Sequence, residues 1–453
     1  MATTYLSKTF GSAGNRKKFT ISTWLKRTGL GSVQQIMACG VYSSTQLDQL
    51  YFNDTDTLNF DNINTGGTAT STFISNAKFR DTSAWYHIVV KVDSTQASAG
   101  DRVTFYVNGS EISLATETQP SQNFDFAFNN NVLHNIGTRP SQSHYFDGSM
   151  THFHFTDGYA YDASTFGESD SVSGIWKPKT VPSVTYGTNG YFLKFENSGA
   201  MGTDSSGNSN TWSVGGGTLT QNVDTPSNNF ATMNPLDVSG NPNPPTFANG
   251  NLSVDSVATS QNATARSTLA VSAGKWYVEA KQVGTASPEY MRIGILGADS
   301  STYISSNSAI SSHSTGYSYK STGDKGNNGT ETSYGNSYTN GDIIGIAFDA
   351  DNGTIWFSKN GTWQNSATIT EIQNGTTTNS AFSSISMTRY FMFASSMAGA
   401  TSGLKYEWNF GNGKFGTTAV ASSNSDSAGL GLFEYSVPAN YYSLCTKNIK
   451  NYG

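Results

Sequence analysis

Apolar and polar residues alternate in short runs along most of the chain, and the clearest run is Gly341 to Gly361, GDIIGIAFDADNGTIWFSKNG. Ile343, Gly345 and Ala347 alternate with Ile344, Ile346 and Phe348, and Ile355 and Phe357 alternate with Trp356. A two-residue period is that of a β-strand, so the stretch predicts a strand pair. Asp351-Asn352-Gly353 supplies residues that tolerate positive φ in a tight hairpin, and Lys359-Asn360-Gly361 repeats the signal at the far end. An antiparallel meander is expected, with Trp356 and Phe357 on opposite faces.

The same period recurs from the start of the chain. FTISTWLKR, from Phe19, reads as a strand with Phe19, Ile21 and Thr23 on one face. Comparable runs lie at Ile36 to Val41, Leu50 to Phe52, Trp85 to Val92, Arg102 to Val107, Val132 to Ile136 and Met150 to Phe155, with turns such as Asn108-Gly109 and Asp147-Gly148 between them. Later come Gly274 to Val283, Met291 to Leu296, Gly316 to Tyr319, Tyr390 to Ser395 and Tyr406 to Phe410. Strands at this density with no helical period predict two-sheet sandwiches, because each sheet must bury one face against another.

Between these sets the composition changes. Residues 199–246 are rich in Gly, Ser, Asn and Pro, with Pro242, Pro244 and Pro245 close together. Trp212, Phe230 and Met233 punctuate the segment, which therefore reads as a polar strap pinned onto its neighbours. The expected organisation is an all-β chain of two jelly-roll-like antiparallel sandwiches, residues 1–198 and 247–453, joined by that strap. At 453 residues, more than one domain is the sensible prior.

Composition agrees. Only 13% of residues are charged, whereas there are 46 Gly, 26 Phe and 23 Tyr, which favours turns and strands over helices and is too aromatic for disorder. A net charge of -6 supplies no basic field, so neither nucleic acid nor an anionic membrane is an expected partner. The opening residues lack the apolar core of a secretion signal and no run of eighteen apolar residues occurs, so synthesis in a cytoplasm without membrane insertion is expected. Cys39 and Cys445 stand alone in strand-like surroundings and are expected to be buried free thiols.

Several segments are familiar. FTISTWLKR, WYHIVVKVDS, DRVTFYVNGSEI and YFDGSMTHFHFTDG, in that order, resemble the strands of laminin-G-like, concanavalin A-like lectin domains over about residues 1–198. GKWYVEAK, IGILG, GYSYKSTG and GDIIGIAFDADNGTIWFSKNGTW resemble the SPRY domain over residues 247–411, whose family fold is a bent two-sheet sandwich. SGIWKPKTVPSVTYGTNGYFLKFENS, DSSGNSNTW, TPSNNFATMNPLD, NFGNGKF and YSVPANYYSLCTKNI are similar to stretches of structural proteins of marine tailed bacteriophages, in which such modules occur in tail fibres and related appendages.

Chemistry is harder to find. Glycoside hydrolysis on a concanavalin-like sandwich needs two carboxylates across the scissile bond. Glu111, Glu117, Glu168 and Glu196 are scattered singly instead. His152 and His154, two apart on a strand, are weak metal candidates, with His144 eight residues before His152; the plainer reading is an edge pair with Phe153 and Phe155 facing the core. Asp349, Asp351 and Asn352 lack the bidentate Glu of a calcium loop and fit a turn. Gly215-Gly216-Gly217 is followed by neither helix nor Lys, and no nucleophile elbow appears. No metal and no cofactor are expected.

A sugar site needs flat aromatic rings beside hydroxyl and amide groups. Tyr303, Tyr317, Tyr319, Tyr334 and Tyr338, set among Ser, Asn and Gly before the hairpin, are the candidate ligand-binding residues, although strand residues capping the core would read the same way. The expectation is a non-enzymatic virion protein of a tailed phage, in a tail fibre or appendage. Its expected partners are other virion proteins, copies of itself in a homo-oligomer with a trimer favoured, and a host cell-surface glycan. A capsid decoration or head-fibre protein, a glycan depolymerase and an intracellular peptide-binding SPRY adaptor are the alternatives.

Overall fold

The computed structural model describes residues 3–41, 43–171, 173–239, 244–256, 259–284, 291–300, 308–399 and 403–453. The chain is nearly all β and divides into two compact units, Met1–Gln221 and Asn222–Gly453.

Among the described residues of the first unit, two antiparallel sheets form a sandwich. One has eight strands in the order Leu114–Thr118, Ala69–Lys78, Thr57–Ile63, Leu47–Phe52, Gln34–Cys39, Leu133–Ile136, Tyr5–Thr9 and Ser213–Gly215. The other has six, in the order Tyr191–Leu193, Gly148–Asp157, Lys18–Arg27, Tyr86–Asp93, Val103–Val107 and Ser110–Glu111. Phe19, Ile21, Leu25, Leu50, Phe60, Phe73, Val90, Phe105, Phe153 and Phe155 meet between them with no more than 2% exposure. The alternation of FTISTWLKR puts Phe19 and Ile21 in this core, as its period requires.

The outward face of that strand is buried too. Thr20, Ser22 and Trp24 lie under residues 159–192: Thr20 Oγ1 donates to the Tyr159 carbonyl at 3.0 Å, and the Tyr161 N–H donates to Thr20 Oγ1 at 2.8 Å. His87 stacks on Trp24 at 4.6 Å, and its Nδ1 accepts from Trp176 Nε1 at 3.0 Å. The central strand Lys18–Arg27 of the six-stranded sheet is therefore covered on both faces.

The second unit is a second sandwich. Seven strands follow the order Met233–Val238, Thr259–Val271, Phe391–Gly399, Met291–Gly297, Gly316–Lys320, Asp324–Asn327 and Thr330–Ser333, and seven more the order Thr246–Ala248, Ser253–Asp255, Lys405–Asn409, Lys275–Val283, Ile343–Asp349, Thr354–Lys359 and Thr362–Trp363, all among the described residues. The expected hairpin pairs Ile344 with Lys359 through to Asp349 with Thr354. Phe357 enters the main core, whereas Trp356 enters a separate cluster with Tyr277, Ile372, Phe433 and Tyr441. Its turn is closed by the Asn352 N–H and Nδ2 donating to Asp349 at 3.0 and 2.9 Å, while Asp351 Oδ1 accepts from the Gly274 N–H at 2.7 Å. These carboxylates build the turn.

The strap of residues 199–246 is divided between the units. Ser213–Gly215 pairs with the strand at Tyr5–Thr9, and Trp212 packs edge-on against Tyr191 at 5.0 Å. Phe230 bridges Cys445, the Ala231 N–H donates to the Leu444 carbonyl at 2.9 Å, and Met233 is fully buried. The boundary falls between Gln221 and Asn222, because the large apolar residues on either side of it are claimed by different cores. Cys39 and Cys445 are both free and buried.

Candidate binding site

Three of the expected ligand-binding tyrosines turn inward, which corrects their reading as a loop cluster. Tyr319, Tyr334 and Tyr338 belong to the main core of the second unit and are 6% exposed or less. Their hydroxyls are satisfied there: Tyr319 donates to the Asn336 carbonyl, Tyr334 accepts from the Phe357 N–H at 3.3 Å, and Tyr338 bonds Tyr406 at 2.9 Å. Tyr317 is half-buried, with its ring edge-on to Phe382 at 5.2 Å. Tyr303 lies outside the described residues. The i, i+2 spacing of Tyr317 and Tyr319 on one strand is the signal that a core face was present.

The histidines are also placed by packing. His154 is 2% exposed, stacks on Phe192 at 3.9 Å and bonds the Tyr186 hydroxyl through Nδ1 at 2.8 Å. Burial, then the proximity of His152 and His87, pushes its basicity well below the usual histidine range. His152 sits at a break in register with φ of 48° and bonds Thr151 through Nδ1 at 3.0 Å, while His144 is exposed on a turn. Phe153 and Phe155 face the core, as expected. Among the described residues no group of three or more His, Cys, Asp or Glu is arranged to hold a metal.

Glu111, Glu117, Glu168 and Glu196 are exposed and scattered. Glu279 and Asp48 are among the buried acids whose pKa is raised. Burial pushes Glu279 up to about 7, although its oxygens accept from Tyr277 Oη, the Glu434 N–H and the Tyr435 N–H at 3.0, 2.9 and 2.9 Å. Asp48 is pushed up to about 6 and accepts from the Phe128 N–H at 2.8 Å and from Asn62. Both are 0% exposed and occupied by protein donors, so neither is poised for acid or base catalysis.

A concave polar surface does form at one end of the seven-stranded sheet that begins with Met233–Val238. The strands Met291–Gly297, Gly316–Lys320 and Phe391–Gly399 are neighbours there, held at their ends by bonds from the Gly297 N–H to the Thr315 carbonyl at 3.0 Å and from the Ala298 N–H to the Tyr390 carbonyl at 2.8 Å. The turn at Asn328 closes one side, its N–H donating to the His313 carbonyl at 3.2 Å. The result is a cleft of about 380 Å3 walled by Ser300, Ser312, His313, Ser314, Thr315 and Asn328, with Asp299 and Arg389 ion-paired at 3.0 Å. Burial, then Arg266, keeps His313 less basic than usual. Tyr390, next to Arg389, is 60% exposed. Neither Asp299 nor Arg389 stands out in the sequence, where they are separated by 90 positions.

Residues 2–161 match the laminin-G-type family of the concanavalin A-like lectin and glucanase superfamily, and residues 275–411 match the SPRY domain. Among solved structures, the SPRY domain of human HERC1 is similar at 17% identity, covering 39% of this chain and 96% of its own, with a TM-score of 0.31. A second human SPRY domain is 14% identical, with 34% and 89% covered and a TM-score of 0.25. A native heptameric SAP-like pentraxin from Limulus polyphemus is 14% identical, with 38% and 81% covered and a TM-score of 0.29. No curated protein matches the chain.

Proposed function

We propose that this chain, which carries a laminin-G-type concanavalin A-like domain and a SPRY domain, is a non-enzymatic structural protein of a tailed-phage particle that binds host surface glycans or neighbouring virion subunits. A place in a tail fibre or appendage rests on the resemblance to phage structural proteins read from its flanking segments. The observation that carries the binding function is the polar cleft of the second unit, whose wall offers hydroxyl and amide groups around one ion pair. Hydrolysis would need two facing carboxylates, and Asp299 is the single carboxylate among the described lining residues. The cleft is walled by turns at the strand ends, and a homo-oligomer, a trimer above all, multiplies weak single contacts.

Immunogold labelling of intact particles tests the placement. Label on the tail is the expected result, label on the head moves the protein to a capsid decoration or head fibre, and particles that carry none overturn the virion reading. Incubation with host surface polysaccharide tests the rest: binding without release of reducing sugar is expected, whereas steady release would make the protein a depolymerase.

A further inference from the structure

The cleft at the strand ends of the second unit has a chemistry more specific than polarity. Arg389 turns one nitrogen, Nη1, to both Asp299 oxygens at 3.0 Å each. Among the described residues, the Arg389 Nε and Nη2 hydrogens have no protein acceptor, and each Asp299 oxygen keeps a lone pair. The pair thus presents unclaimed donors beside unclaimed acceptors at zero net charge. It is also reachable, since the Asp299 side chain is 58% and that of Arg389 31% exposed.

We infer that the cleft takes a neutral saccharide, gripped by a vicinal diol across the Asp299–Arg389 pair. One sugar hydroxyl donates to the carboxylate while its neighbour accepts from the guanidinium, and both bonds are charge-assisted. An anionic sugar would gain Arg389 but meet Asp299, and a cationic one the reverse, so the pair discriminates against both. The hydroxyls of Ser312, Ser314 and Thr315 and the amide of Asn328 complete a wall suited to further hydroxyl groups.

The inference rests on the glycan-binding reading of this protein and names the ligand class. Calorimetric titration of the full chain with maltotriose, cellotriose, mannotriose and N-acetyllactosamine, and with 3′-sialyllactose and tri-galacturonate as anionic counterparts, tests it. At least one neutral sugar is expected to bind more tightly than either anionic one. Asp299→Asn and Arg389→Ala are each expected to weaken that binding about tenfold or more at an unchanged melting temperature, since an exposed ion pair adds little stability. Neutral binding that survives both substitutions overturns the site while leaving glycan binding intact. Tighter binding of either anionic sugar than of every neutral one by the unaltered chain overturns the neutral class, whereas anionic binding that strengthens only in Asp299→Asn is the expected consequence of removing the repelling carboxylate. Silence across the panel overturns the inference, and the host-polysaccharide experiment then decides whether glycan binding falls with it.

Discussion

Glu279 and His87 carry opposite pH dependences, and each follows from the groups around it. Glu279 titrates near 7 in the fold against 4.5 in an unfolded chain, because burial outweighs its donors. Between those values only the folded state holds the proton, so the stabilisation is complete below pH 4.5 and is lost as pH rises through 7. Replacing it in Glu279→Gln is expected to flatten the fall in stability of the second unit between pH 5 and 8, a difference of up to roughly 3 kcal/mol, read from denaturant unfolding at each pH. His87 is the mirror case: burial, then His152, pushes it down to about 3 against 6.5 unfolded. Its Nδ1 must stay unprotonated to accept the Trp176 indole N–H, and the remaining proton on Nε2 then points to Ser22 Oγ at 2.9 Å. Here the unfolded chain takes the proton first, so stability is complete above pH 6.5 and is lost as pH falls toward 3. His87→Phe keeps a ring between the tryptophans but orphans the indole N–H. It is expected to cost about 1–3 kcal/mol at pH 7 and to reduce the acid sensitivity of the first unit, as followed by near-ultraviolet circular dichroism.

At the scale of elements, the hairpin shows what alternation can and cannot tell. The opposite orientation of Trp356 and Phe357 is legible from the two-residue period. That both faces are buried is not, because the outer layer comes from the short helix Ile369–Asn374, beyond the hairpin, and from Phe433 and Tyr441, far away in sequence. The hairpin turn needs Gly353, whose φ is 59° and where a Cβ would collide with the Ile385 carbonyl oxygen. Gly353→Ala should therefore destabilise the second unit by at least about 2 kcal/mol in chemical denaturation, well beyond the cost of an ordinary turn substitution. The helix is a milder case. Thr368 caps it by accepting from the Glu371 N–H at 3.2 Å, while Glu371 returns a bond to the Thr368 N–H at 2.7 Å. Thr368→Ala is expected to cost about 1 kcal/mol.

At the scale of the molecule, each unit has its own sheets and core, and the polar segment between the two sets of strands contributes to both. A chain ending at Gln221 keeps Trp212 and the edge strand Ser213–Gly215 and is expected to unfold in one cooperative thermal transition. A chain ending at Ser198 loses them and should melt lower, by the equivalent of about 3–5 kcal/mol for the buried Trp alone. The boundary was hidden from composition because Gly, Ser and Asn dominate residues 199–246, while a few residues, Trp212, Phe230 and Met233, decide which core each part joins. The sequence by itself determined that the chain is all β, that turns fall at Asn108-Gly109, Asn352-Gly353 and Asn360-Gly361, though not at Asp147-Gly148, where Gly148 opens a strand paired with Arg27, and that two sandwiches follow one another, because strand period and turn chemistry are local properties. Only the tertiary structure decided that Tyr319, Tyr334 and Tyr338 are core, that Glu279 is sealed by the segment at Glu434 and Tyr435, and that Asp299 meets Arg389 in a cleft. Those outcomes depend on which distant strands become neighbours, and a local pattern of apolar and polar residues carries no record of that pairing.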